Sequence, residues 1–283
     1  MNYPAVPPAS ETPELFEEGH LWLLEKIDGA PLRFRLQQSG LIRFGDRNRW
    51  YEDPGAVPEP YQHAVRHVRA NLRRDQLRTA IEDVEAVVFF GEATHKHAIE
   101  YEWDRLPSFL GFDVRSARTN AFYPPDIADQ IFERIGLRPV NAVERERRAR
   151  DFDPDSYTVP RSNWYDGPAE GVVIRNKRGG RATLTHPSFR EAAEPPPLEQ
   201  SASALATTHA TRRRLESLAQ TRTDRHRSVT ADTLVELVLE EIVRREHDRL
   251  FLGNDSVEMA ALRSAVTGQV RPFLETYWES RNR

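Results

Sequence analysis

The chain has 283 residues, 39% hydrophobic and 30% charged, with a formal net charge of −4. That length holds one large or two modest domains with a real core, and no run of about 18 apolar residues offers a membrane span. Cysteine is absent, which excludes disulfides, thiolate catalysis, iron–sulfur clusters and cysteine-based zinc sites, and fits a cytoplasmic location.

Residues 1–14 are rich in proline and acidic residues and read as an extended lead-in, with neither the basic start nor the apolar stretch of a secretory signal. From Leu21 the text is strand-like. Leu32, Phe34 and Leu36 alternate with Arg33 and Arg35, Ser39-Gly40 makes a turn, and Leu41 to Phe44 returns as the second arm of a hairpin. Ala64, Val65, Val68, Leu72, Leu77 and Ile81 recur at helical spacing, which predicts one or two helices over 61–81. Short buried strands are predicted at 87–91 and 110–114, and a helix at 127–135. A β-branched strand at 171–175 is followed by a Gly179-Gly180 turn and a second strand at 181–185. Pro195-Pro196-Pro197 cannot be helix interior and reads as a linker. Beyond it, helices are predicted over 201–220, over 233–250 with Asp232 as N-cap, and over 256–280. The expected architecture is an α+β domain over residues 1–195 followed by a small all-helical domain over 199–283.

The mild acidity excludes a uniform basic coat for nucleic acid but leaves room for a local basic groove. Only three of the 40 basic residues are lysines: Lys26, Lys96 and Lys177. Lys26 stands in Glu25-Lys26-Ile27-Asp28-Gly29, at the end of an apolar strand. Desolvation there favours a neutral, nucleophilic amine. Asp28, two residues on along the strand, is expected on the same face, where it orients that amine or holds a metal. Glu92 ends the second strand, Phe112-Asp113 the third, and Glu170 opens the fourth. Carboxylates at strand ends form a hard-oxygen site suited to Mg²⁺ beside a phosphate. Each residue also has an ordinary reading: an exposed Asp-Gly turn for Lys26, solvated strand ends for the glutamates, a core ring for Phe112.

As a set, in this order and spacing, these residues resemble the covalent nucleotidyltransferase superfamily of polynucleotide ligases and mRNA capping enzymes. Arg43-Phe44-Gly45-Asp46-Arg47 is similar to the arginine element of its RNA ligase group. The resemblance covers roughly residues 20–195. It implies an ATP-grasp-like ligase domain of antiparallel sheets flanked by helices, with ATP and Mg²⁺, or Mn²⁺, as cofactors and broken RNA strands as partner. It implies that Lys26 forms a lysyl-AMP intermediate, with Asp28 and Glu170 beside it in catalysis. Arg47 would contact the ribose or RNA end, Glu92 the ribose or a metal-bound water, Phe112 the adenine ring, and Glu170 the metal, with Glu92 and Glu170 as the metal pair. Glu25 borders the same site. One departure stands out. The family's fifth motif supplies lysines to the α-phosphate, yet Thr183 and Thr185 occupy those places, so Lys177 or Arg181 is expected to substitute. Without such a substitute the chain would be a nucleotide- or RNA-binding pseudoenzyme. A DNA ligase, or a GTP-using enzyme, is the alternative within the superfamily.

Three further features are weaker. His95 and His97, read as i and i+2 on one strand face, suit the nucleotide or RNA cleft better than zinc. Arg212-Arg213-Arg214 reads as a solvated helical face or a phosphate grip, and Trp22, Trp164 and Trp278 as packing residues.

Overall fold

The computed structural model describes residues 3–190, 200–224, 226–252 and 257–281. The chain divides into two compact units, Met1–Ala193 and Glu194–Arg283. The proline triplet at 195–197 lies outside the described residues.

The first unit is α+β, built on two antiparallel sheets. Its strands are β1 (His20–Lys26), β2 (Ala30–Leu36), β3 (Ile42–Gly45), β4 (Val87–Ala93), β5 (Phe109–Ser116), β6 (Ala121–Phe122), β7 (Ala142–Arg148), β8 (Gly171–Asn176) and β9 (Arg181–Thr185). One sheet has the order β7-β1-β8-β9, the other β3-β2-β4-β5-β6. Helices α1 (Gln62–Asn71), α2 (Arg74–Ala80) and α3 (Pro125–Arg134) complete the unit.

Alternation along each strand feeds different cores. Leu32, Phe34 and Leu36 of β2 join Phe89, Phe109 and residues of all three helices, including Val65, Leu77 and Phe132. On β1, Trp22 and Leu24 pack with Ile27, Leu110, Val140 and Trp164, while Leu21 and Leu23 on the opposite face join Val172, Ile174 and Ala182. Burying a leucine or phenylalanine in this way is worth about 1.5–3 kcal/mol each.

The turn after β1 carries the chain from one sheet to the other. Gly29 is required in it: a Cβ there would lie 2.5 Å from the Ala93 carbonyl oxygen. Gly171 is equally constrained, since its Cβ would meet the Leu184 carbonyl at 2.3 Å. These close approaches draw the ends of β1, β4, β8 and β9 together.

Several boundaries differ from expectation. The one or two helices expected over 61–81 are two, α1 and α2, parted at Leu72-Arg73. The strand predicted at 87–91 runs on to Ala93, and α3 begins two residues early, with Pro125 in its first turn. Strand β7, for which no element was predicted, is an edge strand whose residues are half-buried or exposed, so it has no apolar alternation to find.

The second unit is helical: α4 (Ala202–His209), α5 (Arg212–Asp224), α6 (Ala231–Arg245) and α7 (Met259–Arg281), with a π-helical turn over Asp248–Leu252. Its core gathers Leu205, Leu215, Leu234, Val238, Ile242, Leu262, Val266 and Val270. The segment predicted as one helix over 201–220 is two, parted at Ala210-Thr211. The N-cap of α6 is Thr230 and not Asp232: Thr230 accepts from the Thr233 N–H, and Thr233 Oγ1 accepts from the Thr230 N–H. Asp232 lies inside the first turn, where its charge complements the helix dipole. Among the described residues no helix is long and apolar enough to cross a membrane.

Candidate active site

A cavity of about 390 Å³ opens where the strand ends meet. Lys26, Asp28, Arg47, Glu92, Glu170 and Arg175 line its polar side, and Leu24, Ile27, Phe112, Val140 and Val173 its apolar side.

Lys26 ends β1 and pairs in register with Gly171, the first residue of β8. This places its Nζ against Glu170 Oε1, with which it forms an ion pair. The side chain is 32% exposed, so the amine is a paired group at the cavity wall and not a lone amine in a dry core. Glu92 reaches the cavity from β4. Burial pushes its carboxyl well above the ordinary range; Glu170 and Asp28 push the same way, while Lys26 and Arg47 oppose them. Two carboxylates beside one amine suit a hard divalent cation.

Arg47 projects from the loop after β3. Asp46 shapes that loop by accepting from the N–H groups of Asn48 (2.7 Å) and Arg49 (2.8 Å) and from the Tyr51 hydroxyl (2.5 Å). Arg47 is thereby held exposed at the cavity mouth without a role in the turn itself.

Two expected members serve as anchors. Asp28 lies in the turn beyond β1 and not on the strand. Its Oδ2 accepts from the backbone N–H groups of His97 (3.2 Å), Ala98 (2.8 Å) and Ile99 (2.8 Å). Burial raises its proton affinity, but hydrogen bonds from His97, Ala98 and Ile99 outweigh this and hold the carboxyl below its ordinary range. Asp28 thus pins the loop after β4 to the turn after Lys26. Glu25 borders the cavity, but its carboxylate accepts from Ser162 Oγ (2.6 Å), Asn163 N–H (3.3 Å) and Asn141 Nδ2 (3.2 Å). Burial raises it, opposed by those three partners.

The expected substitutes for the fifth-motif lysines do not line the cavity. Lys177, one residue past β8, is exposed, pairs with Glu146 (3.0 Å) and Asp126 (3.3 Å), and sits over the Trp22 ring. Arg181 is buried in a pair with Asp113 (2.7 Å) and lies over the Phe122 ring. Instead Arg175 lines the cavity. It is buried, donating to the Phe112 carbonyl (2.9 Å) and to Asp113 Oδ1 (3.0 Å). Its signal was legible: an arginine closing an otherwise apolar strand, Gly171-Val172-Val173-Ile174-Arg175. Thr183 also lines the cavity, and its hydroxyl is buried without a hydrogen-bond partner.

β4 ends before His95 and His97, so they do not share a strand face. His97 borders the cavity; His95 is buried with its ring 5.7 Å from that of His63. Arg212 and Arg214 pair with Glu216 and Glu241, as on an ordinary helix surface. Trp22 and Trp164 are buried, and Trp278 is an exposed surface residue.

Solved structures share the fold of the first unit. A variant of Naegleria gruberi RNA ligase solved with ATP and Mn has a similar fold, with a TM-score of 0.51 and 13% identity over 67% of this chain and 57% of that one. The same ligase with PPi gives a TM-score of 0.50 at 13% identity, with the same coverage. This chain therefore spans a little over half the length of the ligases it matches, and at this identity the likeness shows the fold alone. No curated protein matches. The description of the RNA ligase family matches residues 19–188, which include every polar residue named on the cavity wall; the chain belongs to the RNA ligase family.

Proposed function

We propose that the chain is an ATP-dependent RNA ligase that joins 5′-phosphate and 3′-hydroxyl ends through a lysyl-AMP intermediate. The observation that carries this reading is the Lys26–Glu170 pair at the wall of a cavity that Phe112, Val140 and Val173 also line. Phe112 and Val173 offer a slot for a purine ring, and the polar residues face the place its phosphates would reach. Naegleria gruberi RNA ligase, solved with ATP and Mn, supports the choice of nucleotide and metal.

In the first step Lys26 Nζ attacks the α-phosphorus. An N–P bond forms as the P–O bond to pyrophosphate breaks. Nζ must shed a proton first, and Glu170 Oε1, already in contact, is the acceptor at hand. Arg47 and Arg175 offset phosphate charge in a site where a lysine pair is replaced by Thr183 and Thr185. Glu92 and Glu170 would hold a divalent cation, which when bound would supply further charge neutralisation toward the phosphates. AMP then passes to an RNA 5′-phosphate, and attack by a 3′-hydroxyl expels it.

A second reading, a nucleotide-binding pseudoenzyme, is favoured by the positions of Lys177 and Arg181 away from the cavity. One experiment separates the two. The protein is incubated with Mg²⁺ or Mn²⁺ and ATP or GTP, and its intact mass is read beside that of Lys26→Ala. A Lys26-dependent AMP adduct, followed by sealing of nicked RNA in preference to DNA, is expected. Absence of any adduct in folded protein leaves the pseudoenzyme.

A further inference from the structure

Residues 3–8 read Tyr-Pro-Ala-Val-Pro-Pro. Their prolines fix φ and favour an extended segment at little ordering cost. The segment lies along β9. The Thr183 N–H donates to the Pro7 carbonyl at 2.8 Å, and Pro8 bridges Thr183 in parallel. Pro7 and Pro8 have no N–H, so the added strand cannot itself recruit another.

The start of the segment is anchored as well. The Tyr3 hydroxyl donates to Asp113 Oδ2 (3.0 Å) and accepts from Arg181 Nε (3.1 Å). Its ring meets Phe112 edge-on, with centroids 5.1 Å apart, and also packs against Phe90 and Phe122. Between these anchors Tyr3, Pro4 and Val6 line the same cavity as Lys26. A space of about 390 Å³ remains with the segment in place, so it walls the cavity and does not plug it.

We propose that Tyr3–Pro8 is a wall of the nucleobase pocket, with Tyr3 positioning the Phe112 ring, and that nucleotide affinity depends on it. The inference rests on the adenylylation reading above. Edge-on support fixes a ring whose free face is then ready to stack. The segment touches Phe112 and Thr183 of the cavity lining, and Asp113 and Arg181, which do not line it; none of these has a part in the bond-making step. Its loss should therefore weaken ground-state and transition-state binding alike.

The test follows adduct formation against ATP concentration in the full chain, for wild type, Tyr3→Ala, Tyr3→Phe and Val6→Ser, each checked by thermal melting. Tyr3→Ala is expected to raise the half-saturating ATP concentration about tenfold while the maximal rate changes less than about threefold. Val6→Ser is expected to raise it about threefold, and Tyr3→Phe, which keeps the ring, to stay within about twofold of wild type. If Tyr3→Ala fails to fold, Val6→Ser leaves the Tyr3 hydrogen bonds intact and decides the matter. Wild-type half-saturation in the folded variants overturns the wall, as does a loss confined to the maximal rate. A wild-type chain that forms no adduct overturns the adenylylation reading and the wall with it.

Discussion

Glu92 sits where two functions conflict. A half-buried carboxylate beside Glu170 and Asp28 is costly in the resting fold, and its raised proton affinity follows from that. Between its ordinary value of 4.5 and its higher folded value, the native state binds the extra proton. Stability therefore falls as pH rises through that window; the penalty is absent below it and complete above it. Glu92→Gln is expected to stabilise the protein at neutral pH, read as a higher melting temperature. The gain should fade as the pH approaches 4.5, while adduct formation is lost. Melting curves across pH, read beside adduct assays, check both halves; an unchanged melting temperature at neutral pH would count against the buried-acid account. Lys26, Glu92 and Glu170 stand at or beside strand ends that the apolar pattern marks, whereas Phe112, expected to end its strand, lies inside β5, and Arg47 lies in the loop beyond β3; both were picked out through the family resemblance. Asp28 and Glu25 were legible as neighbours of the site but not as anchors, because their partners at 97–99, 141 and 162–163 are brought close only by the fold.

At the scale of elements, what escaped the sequence was whatever lacked periodicity. Strand β7 reads Ala-Val-Glu-Arg-Glu-Arg-Arg and is held by pairing with β1 along the edge of its sheet, not by a buried face. The break between α4 and α5 has neither glycine nor proline to mark it. The segment of residues 3–8 depends on contacts with residues more than a hundred positions away, such as Asp113 and Arg181. The start of α6 was misplaced because three cap-forming residues, Thr230, Asp232 and Thr233, lie together, and only geometry selects Thr230. Removing that cap by Thr230→Ala is expected to cost about 1 kcal/mol. Chemical denaturation should show a lower midpoint with an unchanged slope, whereas Asp232→Ala, which removes only a first-turn charge, should cost less than half as much.

For the whole molecule, the decisive fact is that each unit has its own core. The helical core draws only on residues from 202 onward, and the three clusters of the first unit only on residues up to 189. The cavity is likewise lined entirely by the first unit. Residues 1–190 expressed alone are expected to fold cooperatively and to form the AMP adduct within about tenfold of the full-length rate, since each core is built from its own unit's residues. Sealing of RNA should fall further than adduct formation if the helical unit grips the strand. A fragment that melts without cooperativity would show that the first unit depends on the second. The paired state of the lysines carries over into bench chemistry. Lys26 is tied to Glu170, Lys96 to Glu100 and Lys177 to Glu146 and Asp126. Amine-directed cross-linkers and immobilisation resins therefore find only ion-paired side-chain amines on this chain, one of them on the wall of the cavity. Coupling through lysine would be shared between Lys26 and the more exposed Lys177, so part of it would fall on the cavity wall, whereas the absence of cysteine leaves thiol chemistry free for any position chosen.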